Sequence, residues 1–339
     1  MTVTAEEAVL VQVPEEQRRP GPLDLIAAVL LLATVVLHVA AMVPTYFTGQ
    51  GSLLSQPDQA TQYAVLAAAW ALALGLGLTG PHRTPAAAAL ATGLVAAELG
   101  LRVVDLGRVL RYGTSTAGSG LWLMEGAWVA GLVATVVAVL AARRRLAQPG
   151  PEPGPAEEEE DSHERLAWTL LVVVLAAVTA GLFLPPWDHV LAVSSTTGRG
   201  FSQNLGNAFK QPWQEVIGNV LAALALLVVP IVAVRLRRKA VGAALTCGAL
   251  LVLASQLASA VANVDQNGAG DFGLTPAQAR QLHLLISVKL TGWFTLDALA
   301  AYALFATVMV RASLRLQASS PGTSPSAPDL SRPATSSGP

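Results

Sequence analysis

Glu98, Arg102 and Asp105 lie four and three positions apart in a stretch that is otherwise almost entirely apolar. At helical spacing those intervals put all three on one face, with the guanidinium between two carboxylates. In water such a ladder would be unremarkable chemistry. Inside a hydrocarbon layer each charge costs several kcal/mol by most scales, so it must meet a partner or a wet cavity. Further polar residues interrupt other apolar runs: Glu125, Lys289 and Asp297, with His38, Asn219 and Gln256. Carboxylates in that setting can hold a cation or relay protons, and lysine can serve as counter-ion. A purely structural reading competes, in which Glu98, Arg102 and Asp105 neutralise one another and Lys289 pairs with Glu125 or Asp297 to fix helix packing. Arg102 and Asp105 are also close enough to a helix end to snorkel towards the interface.

Other chemistries find little support. Asn263, Asp265, Asn267 and Gly268, with Asp271 beyond them, resemble the start of a calcium loop, but Leu274 stands where a bidentate glutamate is expected. The chain contains neither a glycine-rich phosphate loop ending in Lys-Ser/Thr nor an H-E-x-x-H pair. Ser119 has no histidine placed by sequence to activate it, and Cys247 is the single cysteine, so thiol-pair redox chemistry and cysteine metal sites are excluded. Neither a cofactor nor an enzymatic reaction is indicated.

The elements that must position these residues are membrane helices. Of the 339 residues 53% are hydrophobic and only 13% charged, about half the charged fraction of a soluble domain. About 20 apolar residues cross a bilayer as a helix. Eight stretches qualify, at 23–43, 63–78, 85–106, 120–142, 166–184, 216–234, 241–264 and 282–310. The expected fold is therefore all-α, a polytopic bundle of about eight spans. The first span is too long for a cleaved signal and reads as a retained anchor. With the N-terminus cytoplasmic, fourteen basic residues fall on inner segments and five on outer ones, which places both termini inside. An Arg-rich, Ala/Gly/Val/Leu-rich composition suggests a bacterial plasma membrane.

Residues 1–22 form an expected cytoplasmic tail, 23–147 a first four-helix half, 148–165 an acidic Pro/Gly-rich linker, 166–311 a second half and 312–339 a disordered Ser/Pro-rich tail. The halves show matches that suggest two parallel repeats. Span one ends in Val43-Pro44-Thr45-Tyr46 and span five in Leu184-Pro185-Pro186-Trp187, each a proline followed by an interfacial aromatic. Glu125 aligns with Asp297, and Glu98-Leu99 with Gln256-Leu257. A turn-rich, polar loop at 187–213 either caps an outer cavity or, as the default reading, simply connects two spans.

Most of the intramembrane polar groups then gather towards the outer leaflet. That arrangement points to a small-solute or ion transporter, or a permease-like protein, with an outward-facing polar cavity. The alternative is a non-transporting scaffold or sensor that works through its loops and tails. Expected partners are the lipid bilayer, a small solute or ion and other membrane proteins, with no role for nucleic acid given a net charge of −1.

Overall fold

The computed structural model describes residues 21–49, 51–147, 162–205, 212–264 and 276–318. The acidic stretch of the linker, most of both tails, and Asp265, Asn267 and Asp271 of the calcium-like loop lie outside them. Eight helices are long and apolar enough to cross a membrane, so the chain is a multi-pass membrane protein. They are α1 (Pro22–Ala41), α2 (Pro57–Leu78), α3 (Thr84–Tyr112), α4 (Ser119–Ala147), α5 (Ser162–Leu182), α6 (Trp213–Val234), α7 (Lys239–Val264) and α9 (Gly292–Ala318), with a short α8 (Pro276–Gln281) before the last. Leucines and valines exposed along α1, α4, α5 and α9 form the outer surface, as expected for helices facing lipid. We call the side where α1 begins and α9 ends the terminal face, and the opposite side the sheet face.

Prolines start α1, α2 and α3 in their first turns, where a missing N–H costs nothing. At the terminal face Asp24 of α1 ties three helices together: it accepts from Arg145 of α4 and from Thr84 of α3. Arg311 of α9 donates to the Val234 carbonyl at the end of α6. The backbone carbonyls a helix end leaves unpaired are thus met by a cation.

Packing is ordered around α3 and α7, the two most buried spans. In the first half α1 packs on α4 and α2, and α3 on α2 and α4. In the second half α5 packs on α9 and α6, and α7 on α6 and α9. Across the halves α3 meets α7, α3 meets α6, and α2 meets α7. At the α3–α7 crossing the approach is reciprocal: a Cβ on Gly93 would strike the Leu245 carbonyl, and one on Gly248 the Leu90 carbonyl. At this crossing Gly93 lies against Leu245 and Ala249 of α7, and Gly248 against Leu90 and Leu94 of α3. The crossing lies nearer the terminal face, so α3 and α7 diverge towards the sheet face.

The sheet face carries β-structure that hydropathy did not reveal. A small hairpin, β1 (Thr45–Phe47) and β2 (Gly51–Ser52), follows α1. A three-stranded antiparallel sheet has the order β4-β3-β5, from β3 (Asp188–Ser194), β4 (Gly200–Leu205) and β5 (Leu284–Leu290). The stretch read as a plain loop at 187–213 therefore holds a hairpin. The eighth span begins at Gly292, not at 282, because LLISVKL alternates with a period of two: Ile286 and Val288 are buried while Leu285, Ser287 and Lys289 are exposed.

Candidate functional site

Arg102 is 1% exposed and sits at the centre of a polar cluster inside the first half. It does not snorkel. Its charge faces three carboxylates, with Nη1 3.4 Å from Asp105 Oδ2 and 3.8 Å from Glu125 Oε1, and Nε 3.7 Å from Glu98 Oε1. The two longer separations exceed a hydrogen bond. Its hydrogen bonds go instead to phenols: Nη1 donates to Tyr46 Oη and Nη2 to Tyr63 Oη, each at 3.2 Å.

Tyr46 donates in turn to Asp105 Oδ2 at 2.6 Å and lies 3.0 Å from the Tyr63 hydroxyl. Burial and the adjacent Asp105 carboxylate push its phenol well above the ordinary tyrosine value, so it stays a neutral donor. The backbone of β1 holds it there: Gly118 donates to the Tyr46 carbonyl and Thr48 to the Thr116 carbonyl, so the α3–α4 turn clamps the strand. Tyr46 is 2% exposed, so its ring is packed into the protein.

Glu98 is fully buried and is met by side chains from two helices. The Trp70 indole N–H of α2 donates to Oε2 at 3.0 Å, and His38 Nε2 of α1 lies 3.1 Å from Oε1. His38 Nδ1 is 2.9 Å from the Thr34 carbonyl oxygen, which can only accept, so Nδ1 carries a hydrogen. One further proton must then lie between Nε2 and Oε1, whether it is written on the imidazole or on the carboxyl. Replacing Trp70 with phenylalanine removes one donor from Glu98 and should lower stability by about 1–3 kcal/mol, read as a lower unfolding temperature in detergent.

Towards the sheet face the cluster meets a polar cavity of about 290 Å³ between the halves. Its walls come from α2 (Asp58, Gln59, Gln62, Tyr63), α3 (Leu101, Val104, Asp105, Arg108), α6 (Glu215, Asn219) and α7 (Gln256, Ser259), with Tyr46 and Phe47 from β1. Divergence of α3 and α7 beyond their glycine crossing opens it. Arg108 Nε lies 3.4 Å from Glu215 Oε2, bridging the halves across the wall. Asp105 belongs to both cluster and cavity, taking its described hydrogen bonds on Oδ2 alone.

Of the nine residues singled out in the sequence, the structure gathers His38, Glu98, Arg102, Asp105 and Glu125 into one network and sets Asn219 and Gln256 on the cavity wall. Asp297 stands apart on α9, fully buried, with neither carboxylate oxygen hydrogen-bonded. Lys289 is on β5 opposite His189, exposed, and pairs with neither Glu125 nor Asp297. Sequence reasoning missed Tyr46, Tyr63 and Trp70. Tyr63 and Trp70 are seven residues apart, two turns on one face of α2, and that spacing was the available signal. No group of three or more His, Cys, Asp or Glu able to hold a metal occurs among the described residues. Comparison with family models, with curated proteins and with solved structures gives no match to this chain.

Proposed function

We propose that the chain is a small-solute or ion transporter, built from two parallel four-helix repeats, with the polar cavity as its entry site. The carrying observation is that Asp105 forms part of the wall of the 290 Å³ polar cavity between the halves and is joined, through ion pairs with Arg102 and from there to Glu98, to a buried cluster that ends at His38. Sites of this kind, near a repeat interface, are where transporters bind their substrates.

The glycine crossing supports the duplication. The shift that places Gly93 on Gly248 also places Gln56-Pro57-x-Gln59 on Gln211-Pro212-x-Gln214, and Val65-Leu66-Ala67-Ala68 on Val220-Leu221-Ala222-Ala223. By the same shift Ala88-Ala89-Leu90 falls on Ala243-Ala244-Leu245. Helix pairings within one half recur in the other, and the pairings between halves interchange.

That equivalence bears on the structural alternative. The same shift sets Glu98 against Leu253, Arg102 against Leu257, Tyr63 against Gly218 and Trp70 against Ala225. The second bundle packs with apolar residues at each of these positions, so the architecture does not need the ions, and their retention in one half argues for use. With both termini cytoplasmic, as the basic residues suggest, the cavity faces outward, in keeping with a bacterial plasma membrane.

Flux into liposomes containing the purified protein tests this reading. Asp105→Asn and Glu98→Gln each keep the side-chain volume while removing the charge, and should lower uptake at least about tenfold. Unchanged uptake in both would reject the assignment. The scaffold reading draws support from the sheet, whose outer strands β4 and β5 each have one side unpaired within it. A stoichiometric partner crosslinked from membranes, with no flux of any solute, would favour it.

A further inference from the structure

A second cavity, of about 780 Å³, opens sideways between α2, α7 and α9 and has no part in the polar network. Its lining is almost wholly apolar, including Leu72, Leu76, Leu90, Leu251, Phe305 and Met309. The lining extends along α7 from Ala240 to Leu257, with most of its residues in the helix halves nearer the terminal face. On the opposite side of the crossing the corresponding space is closed: Gly100 of α3 and Gly218 of α6 let their backbones interlock, each meeting the other's carbonyl.

Its end at the terminal face is cationic. The groove reaches Ala86, two residues inside α3, and Ala240, one residue inside α7. Immediately before these stand Arg83 and the run Arg237-Arg238-Lys239, with Arg83, Arg237 and Arg238 exposed. Two long helices therefore present their N-terminal ends and their basic residues at one point, and both favour an anion. Among the described residues at that face the carboxylates are Asp24, held by Arg145, and Glu164 at the start of α5.

We infer that this groove binds an anionic glycerophospholipid of the leaflet at the terminal face, with acyl chain along α7 and phosphate at the basic ends of α3 and α7. An apolar groove ended by exposed arginines at the terminal face matches a lipid, whose apolar chain carries a charged head at one end. The inference does not depend on the transport reading.

Native mass spectrometry of the full chain in detergent tests it, using phosphatidylglycerol and phosphatidylcholine with identical acyl chains as probes. Phosphatidylglycerol should be retained in preference. The triple variant Arg83→Gln, Arg238→Gln, Lys239→Gln should lower the ratio of retained phosphatidylglycerol to phosphatidylcholine at least about tenfold. Ala244→Phe, which fills the groove, should lower retention of both, with folding checked by an unchanged unfolding temperature. Equal retention of the two lipids, a preference untouched by the triple variant, or a dimer that takes the place of bound lipid would overturn the inference.

Discussion

Replacing Arg102 with leucine should cost about 3–5 kcal/mol of stability, the largest single effect expected at the cluster. The leucine removes the cation faced by Glu98, Asp105 and Glu125, and takes a donor from both Tyr46 and Tyr63. What remains is a group of carboxylates of which Glu98 is fully buried, where unpaired charge is far more expensive than the missing contact. A triple variant, Arg102→Leu with Glu98→Leu and Asp105→Ala, copies Leu257, Leu253 and Ala260, the residues that the proposed repeat sets against them. It should recover most of that loss while abolishing transport. Unfolding temperatures of the purified variants in detergent give the stabilities. An Arg102→Leu protein as stable as the parent would show that the cluster is already uncharged or wet throughout.

A second large effect is expected where the halves meet. Valine at Gly93 places its Cβ against the Leu245 carbonyl and the Gly248 backbone, neither of which can rotate away. Overpacking alone costs up to about 3 kcal/mol, and here the obstacle is main chain on both sides. Gly93→Val and Gly248→Val should therefore behave alike, lowering the unfolding temperature and the monodisperse fraction on size-exclusion chromatography. Gly126→Val and Gly181→Val serve as controls, since a Cβ at either meets nothing within 4 Å. Equal damage at all four would refute the crossing.

The bundle was legible in the sequence because lipid imposes one rule on every span: the backbone must satisfy itself within an apolar run of sufficient length. Seven of the eight runs begin or end within a few residues of the observed helices. The exception, at 282, failed because β5 is apolar and continuous with α9, and hydropathy cannot tell a strand under a sheet from the start of a span. The face shared by Glu98, Arg102 and Asp105 was readable for the same reason that helical spacing usually is. Their partners were not. Tyr46 and Trp70 look like ordinary interfacial or core aromatics, and only tertiary packing turns their polar ends towards a carboxylate. Lys289 shows the converse: a charge set beside an apolar run reads as intramembrane until the chain pairs there as a strand.

The central claim is that water and solute reach Asp105 from the sheet face through the space between the halves. Cys247 is the single cysteine, so a Cys247→Ser background allows one reporter thiol at a time. Cysteine at Gln62 and at Asn219, on opposing walls of the cavity, should react with a membrane-impermeant maleimide added to the side of the sheet, and not when it is added to the other side. Cysteine at Leu253, buried in the second bundle, should stay unlabelled from both. Failure of Gln62 and Asn219 to react, or reaction from the terminal side instead, would contradict an entry site at this place.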